Sequence, residues 1–96
     1  MYVLDFHPAF VRDLKHYKRR RGDMNRVRGI LKLLQAGQPL PQGLRDHQLQ
    51  GKMRPYRELH VEGDWLLVYE KDGKEFRILC LWLVSHKKLR ERERVV

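Results

Sequence analysis

The run EFRILCLWLV, residues 75 to 84, constrains this chain more than any other ten residues. It is the longest apolar stretch, it has polar flanks, and it follows KDGK, a turn signal centred on Asp72-Gly73. A helix needs about 20 apolar residues to cross a bilayer, so ten rule out a membrane span. A short apolar run bounded in this way is a central strand. The residues before it supply its partners. WLLVYE, residues 65 to 70, is apolar on both faces. Residues 55 to 61 alternate, with Leu59 and Val61 on one face and Glu58 and His60 on the other.

The first third of the chain reads differently. YVLDF, residues 2 to 6, is rich in β-branched and aromatic residues and is a further strand. In HPAFVRDLKHYKRRRG, Pro8 suits a first helical position, and Phe10, Val11, Leu14 and Tyr17 fall at helical spacing. Arg19 to Arg21 suit the negative end of the helix dipole, and Gly22 is a stop signal. A second helix starts near Asp23, repeats Met24, Val27, Ile30, Leu31 and Leu34, and closes at Gly37. Residues 37 to 53 hold two prolines and three glycines and form a long loop. SHKKLRERERVV ends the chain as a short helix or a charged tail. The order strand, two helices, three strands predicts an α+β fold. It is a small antiparallel sheet with an N-terminal helical hairpin packed on one face. With 96 residues, no internal repeat and no linker, one domain over residues 1–96 is expected.

A chain this short buries one modest core, so function belongs on a surface groove or a sheet edge. Lys and Arg total 21 against 12 Asp and Glu, a formal net charge of +9. Such a field attracts polyanions, and release of counterions from phosphates would drive the binding. A basic coat that only confers solubility is the plainer alternative. Cys80 is the single cysteine, so no disulfide forms within the chain, which fits a reducing compartment. No charged neighbour is placed to activate it, and it reads as a small buried hydrophobe. MYVLDFHPAF has neither a basic n-region nor a long apolar stretch, so neither a signal peptide nor a membrane anchor is expected, and the cytoplasm is the expected location.

Five histidines occur. His7 and His16 are expected on the surface of the first helix. His47, His60 and His86 each lie in a loop or at a strand end, and an antiparallel sheet can bring the three to one edge. Their spacings of 13 and 26 residues contain no short ligand pair, which disfavours a metal site. Metal-free RNA cleavage fits better. It needs a base for the 2′-hydroxyl, an acid for the leaving 5′-oxygen, and cations for the charge on phosphorus. Histidines supply the first two near neutral pH. Asp64 or Asp46 would orient a ring; Arg45, Lys52, Arg54, Arg57 and Lys87 are the candidate cations; Trp65 and Tyr56 are candidate stacking platforms. The competing reading makes Trp65 a core anchor and Asp64 a turn residue.

The set R-D-H-x-L-x-G (45–51), Y-R-x-x-H (56–60), D-W-x-L-x-Y (64–69) and Ser85-His86 resembles the YafQ-like toxins of bacterial type II toxin–antitoxin systems, in the RelE/ParE superfamily. The resemblance covers nearly the whole chain and implies a RelE-like fold. It implies an endoribonuclease that enters the ribosomal A site and cuts mRNA without a metal or cofactor, silenced by a cognate antitoxin. By motif it places His47, His60, Asp64 and His86 on catalytic or RNA-contacting positions, with His86 as the main acid/base group. Arg90 stands where the family commonly carries an aromatic residue, and is expected to face RNA instead. Two other classes stay open: a non-catalytic toxin on the same fold, and a basic nucleic-acid-binding module.

Overall fold

The computed structural model describes residues 1–96. Its elements are β1 (Val3–Phe6), α1 (Pro8–Arg19), α2 (Met24–Ala36), β2 (His47–Gln48), β3 (Arg57–Glu62), β4 (Trp65–Asp72), β5 (Arg77–Ser85) and α3 (His86–Glu93), with two short 3₁₀ turns at Gln42–Leu44 and Gly51–Met53. No helix is long and apolar enough to cross a membrane. The strands form one sheet in the order β1-β5-β4-β3-β2.

The caps explain the helical hairpin. The Ala9 N–H donates to His7 Nδ1 at 3.0 Å, so His7 serves as the N-cap of α1 ahead of Pro8. Asp23 Oδ1 accepts from the Asn25 and Arg26 N–H groups at 3.0 and 3.2 Å and starts α2. Gly37, at φ +70°, ends it in the left-handed conformation. Between the helices, Arg21 takes the positive φ of +62°, not Gly22. Gly22 is required for another reason: a Cβ there would lie 2.3 Å from the Tyr17 ring.

The expected antiparallel sheet needs one correction. β2, β3, β4 and β5 pair antiparallel in succession, but β1 lies parallel to β5, with Val3 opposite Arg77 and Phe6 opposite Cys80. The intervening helices and strands form the long crossover that a parallel pair needs. β1 covers β5 only as far as Cys80. Beyond it, the Leu83 N–H donates to Asp13 Oδ2 of α1 at 3.1 Å, so a side chain replaces the missing strand.

Both faces of the sheet are covered. Phe10, Tyr17, Val27, Ile30 and Leu34 of the hairpin pack on Leu59, Val61, Leu67, Tyr69, Ile78, Cys80 and Leu83. On the opposite face Leu49, Met53 and Leu89 close over Leu66, Val68, Leu81, Trp82 and Val84. The pairing of β4 with β5 slips between Val68 and Tyr69, which face Trp82 and Cys80 respectively. Leu81 is the extra residue of a bulge, so it and Trp82 both join the second cluster. The C-terminal segment is a helix, α3, held by Leu89 and by Arg92. The Arg92 guanidinium forks onto Asp13 with two bonds of 2.7 Å and lies 5.4 Å over the Trp82 ring.

Candidate active site

The site forms on the α3-bearing face, at the end of β3 and the start of α3. β3 alternates, so His60 pairs with Leu66 and shares its face, while Leu59 and Val61 point to the hairpin. His86 is the first residue of α3, just after the Ser85 cap, whose hydroxyl accepts from the Lys88 N–H at 3.1 Å. The two imidazole rings stand 5.5 Å apart between centroids.

Each ring has its own partners. Asp64, in the turn between β3 and β4, accepts from His86 Nδ1 and, at 3.3 Å, from the His86 backbone N–H. A carboxylate only accepts, so Nδ1 carries the proton. These bonds to His86 hold the Asp64 carboxyl below its ordinary range, and Arg90, one turn along α3, adds to the effect. Arg45 Nη2 stands 3.3 Å from His60 Nδ1. Guanidinium only donates, so this nitrogen accepts, and the neutral His60 ring keeps its proton on Nε2. Burial first, then the Arg45 charge, push the His60 pKa below its ordinary value of 6.5.

His47 lies opposite Glu58 in the β2–β3 pair. Its Nε2 is 3.0 Å from Glu58 Oε1 and its Nδ1 is 2.8 Å from the Arg45 carbonyl. Both neighbours are acceptors, so only the doubly protonated ring serves the two together. Arg45 itself sits in the left-handed region at φ +50°, uncommon for a side-chain-bearing residue. His47 thus grips the backbone of the residue whose guanidinium meets His60.

The other sequence candidates separate into two groups. Lys52 and Arg54 are exposed on the turn flanking Met53, which is anchored in the second cluster, and Lys87 and Arg90 are exposed on α3. All four carry charge on the histidine-bearing side. Arg57 and Trp65 do not reach the site. Arg57 follows the alternation of Leu59 onto the hairpin face, where it forks onto Asp46 Oδ2 at 3.1 and 2.8 Å. Tyr69 donates to the same carboxylate, and burial with this bond raises the tyrosine pKa. Asp46 is therefore committed to a structural knot, and Asp64 is the carboxylate that orients a ring. Trp65 meets Tyr17 edge-on at 5.0 Å, within the hairpin core. Tyr56 is half-buried against the second cluster. Glu58, 8 % exposed, is a site residue that the pattern placed beside His60 without assigning it a role. Cys80 is buried, which pushes its thiol up to about 12, as an inert hydrophobe requires.

The arrangement joins a neutral imidazole, an imidazole backed by a carboxylate, a fixed arginine and an open rim of cations. That set suits proton transfer at a phosphodiester without further groups.

Residues 2–91 match the family model described as a bacterial toxin of type II toxin–antitoxin system, YafQ. The chain is 36% identical over 75 residues to the mRNA interferase toxin YafQ of Escherichia coli, covering 77% of this chain and 82% of that one. The crystal structure of Escherichia coli YafQ superposes with a TM-score of 0.85 at 29% identity, over 93% of this chain and 98% of the other. In the Escherichia coli DinJ–YafQ toxin–antitoxin complex the match has a TM-score of 0.82 at 30% identity, over 92% and 96% of the two chains.

Proposed function

This chain belongs to the YafQ family of bacterial type II toxin–antitoxin toxins, and from that membership and the geometry of the site we propose that it is an mRNA interferase acting on ribosome-bound message. The observation that carries the proposal is the His60–His86 pair, set 5.5 Å apart with opposite partners, Arg45 on one ring and Asp64 on the other. Groups whose surroundings drive them apart in protonation take the base and acid roles.

In the proposed reaction Arg45 turns from His60 to a non-bridging phosphate oxygen. His60 Nδ1, freed and neutral, takes the proton of the 2′-hydroxyl. The 2′-oxygen bonds to phosphorus as the P–O5′ bond breaks, and His86 gives the 5′-oxygen its proton from Nε2. The products are a 2′,3′-cyclic phosphate and a 5′-hydroxyl end. Asp64 steadies the positively charged His86 ring beforehand and fixes its orientation, and Arg45 with the rim cations offsets the charge building on phosphorus. His47 holds the Arg45 backbone in place. The exposed charge at Lys52, Arg54, Lys87 and Arg90 supports docking onto the ribosomal A site, and an acidic antitoxin covering these residues would silence the protein in the cytoplasm.

The test is single-turnover cleavage on programmed ribosomes by wild type and His86→Ala. Wild type cuts the A-site codon and leaves 2′,3′-cyclic ends, while the variant loses at least 10²-fold in rate. Equal rates would overturn the proposal in favour of a non-catalytic toxin, and tight, salt-sensitive binding without cleavage would favour a plain nucleic-acid-binding module.

A further inference from the structure

Beside His60, and away from His86, a cleft of about 420 Å³ opens between the 41–45 loop and the edge of β3. β2 covers β3 only at Arg57 and Glu58, so the end of the strand has no neighbouring strand there. The cleft is lined by Arg26, Gly43, Arg45, His60, Val61 and Glu62, among others. The mechanism uses Arg45 and His60 and leaves the rest without a task.

Glu62 is the informative residue. β3 slips against β4 between His60 and Glu62, so a bulge at Val61 turns Glu62 out of the alternation and opposite Trp65. Its two oxygens then differ. Oε1 accepts from the Tyr17 hydroxyl at 2.9 Å and from the Asp23 N–H at 3.2 Å. Oε2 accepts no hydrogen bond, and its nearest cation, Arg26 Nε, is 4.0 Å away. One oxygen anchors the side chain while the other is presented as a preorganised acceptor. Arg26, half-exposed, stands at the same wall.

We propose that this cleft is a nucleotide subsite that reads the base on the 5′ side of the cut, with Glu62 accepting from an amino-bearing base edge and Arg26 taking the preceding phosphate. The inference rests on the nuclease reading in one respect: His60 as base places the attacking ribose, and so its base, on this side. Adenine, cytosine and guanine each present an amino group on the Watson–Crick edge, and single-stranded RNA is read through such edges. Uracil flanks its one donor with two carbonyl oxygens, which a carboxylate repels. A good base-edge contact discriminates by roughly 10-fold or more.

Binding tests the cleft without relying on cleavage. The 3′,5′-bisphosphates of the four nucleosides are titrated into the intact protein and followed by backbone amide shifts. The subsite predicts shifts centred on Gly43, Val61 and Gly63, with uridine weakest by about tenfold. Glu62→Gln keeps an oxygen for Tyr17 and Asp23 and places an amide donor in the cleft, so uridine should gain and the preference should level or invert. Arg26→Ala should weaken all four alike, several-fold, and Gly43→Leu, whose side chain meets no atom within 4 Å at its root, should obstruct them all. Shifts confined to the cationic rim, or four equal affinities unmoved by Glu62→Gln, would overturn the subsite even if the protein cuts message. Conversely, the full binding pattern in a protein that cuts nothing would keep the subsite and discard the nuclease.

Discussion

Replacing Arg92 with alanine should destabilise this protein far more than removing any other surface-accessible arginine. The Arg92 side chain is 24% exposed and Asp13 only 10%, so the fork joining them is largely out of water. Without Arg92 the Asp13 carboxylate keeps a single donor, the Leu83 N–H at 3.1 Å. Breaking a fully buried pair from one side costs about 3–5 kcal/mol. Partial access of water to the guanidinium moves the expectation to the low end, about 3 kcal/mol, including the lost stacking on Trp82. For a domain of this size that lowers the melting temperature by roughly 12–24 °C. The comparison is Arg77→Ala, whose pair with Asp5 is 56% and 46% exposed. An exposed pair contributes at most about 1 kcal/mol. Urea unfolding followed by tryptophan fluorescence and circular dichroism separates the two. Adding Asp13→Asn to Arg92→Ala should recover part of the loss, because the stranded charge is gone. Equal midpoints for Arg92→Ala and Arg77→Ala would refute the reasoning. The consequence reaches the site: His86 begins the helix that Arg92 docks, so cleavage should fall in Arg92→Ala even where the protein remains folded.

The His60 pKa lies below 6.5 in the fold, so the neutral ring is favoured there. As pH falls through 6.5 the unfolded chain takes up a proton first, and the stability due to this group, intact above 6.5, is lost on the way down to the folded pKa. The acid limb of kcat/KM should accordingly fall below pH 6.5, and Arg45→Met, by removing the second cause of the shift, should move that limb upward; a limb that stays put in a pH 5–8 rate profile counts against His60 as base. Arg57→Ala should cost about 1 kcal/mol in urea unfolding, since its pair with Asp46 is 35% and 18% exposed, yet leave the cleavage rate of the folded protein near wild type. A large rate loss at unchanged stability would place Arg57 at the RNA after all.

Much of the fold was legible because its signals are local. Asp23 and Gly37 bracket α2 with a side-chain cap and a left-handed residue, and both effects operate within a few positions. The direction of β1 was not legible, since nothing in Val3–Phe6 records which way Arg77–Cys80 runs beside it. Nor was the bulge at Leu81: where every residue from Ile78 to Val84 is apolar, alternation has no contrast and a skipped step leaves no trace. The second cluster was partly announced by WLLVYE, apolar on both faces, but its cover comes from Leu49, Met53 and Leu89, each isolated among polar neighbours.

The site shows the same division between residues and their partners. Alternation in β3 put His60 on the face away from Leu59, and it equally put Arg57 on the face with Leu59; reading Arg57 as an RNA contact let its charge override its position. Asp46 and Asp64 looked interchangeable because each neighbours a histidine or a tryptophan in sequence. What separates them is Tyr69 and Arg57 around one and His86 beside the other, contacts spanning 11 to 23 residues. Protonation follows from those partners. An imidazole facing a guanidinium must offer a lone pair, one facing a carboxylate must offer a proton, and one caught between a carboxylate and a carbonyl must offer two. Identical side chains are thereby set against different partners in one site, and an acid/base pair needs that difference, which no count of histidines in a sequence can supply.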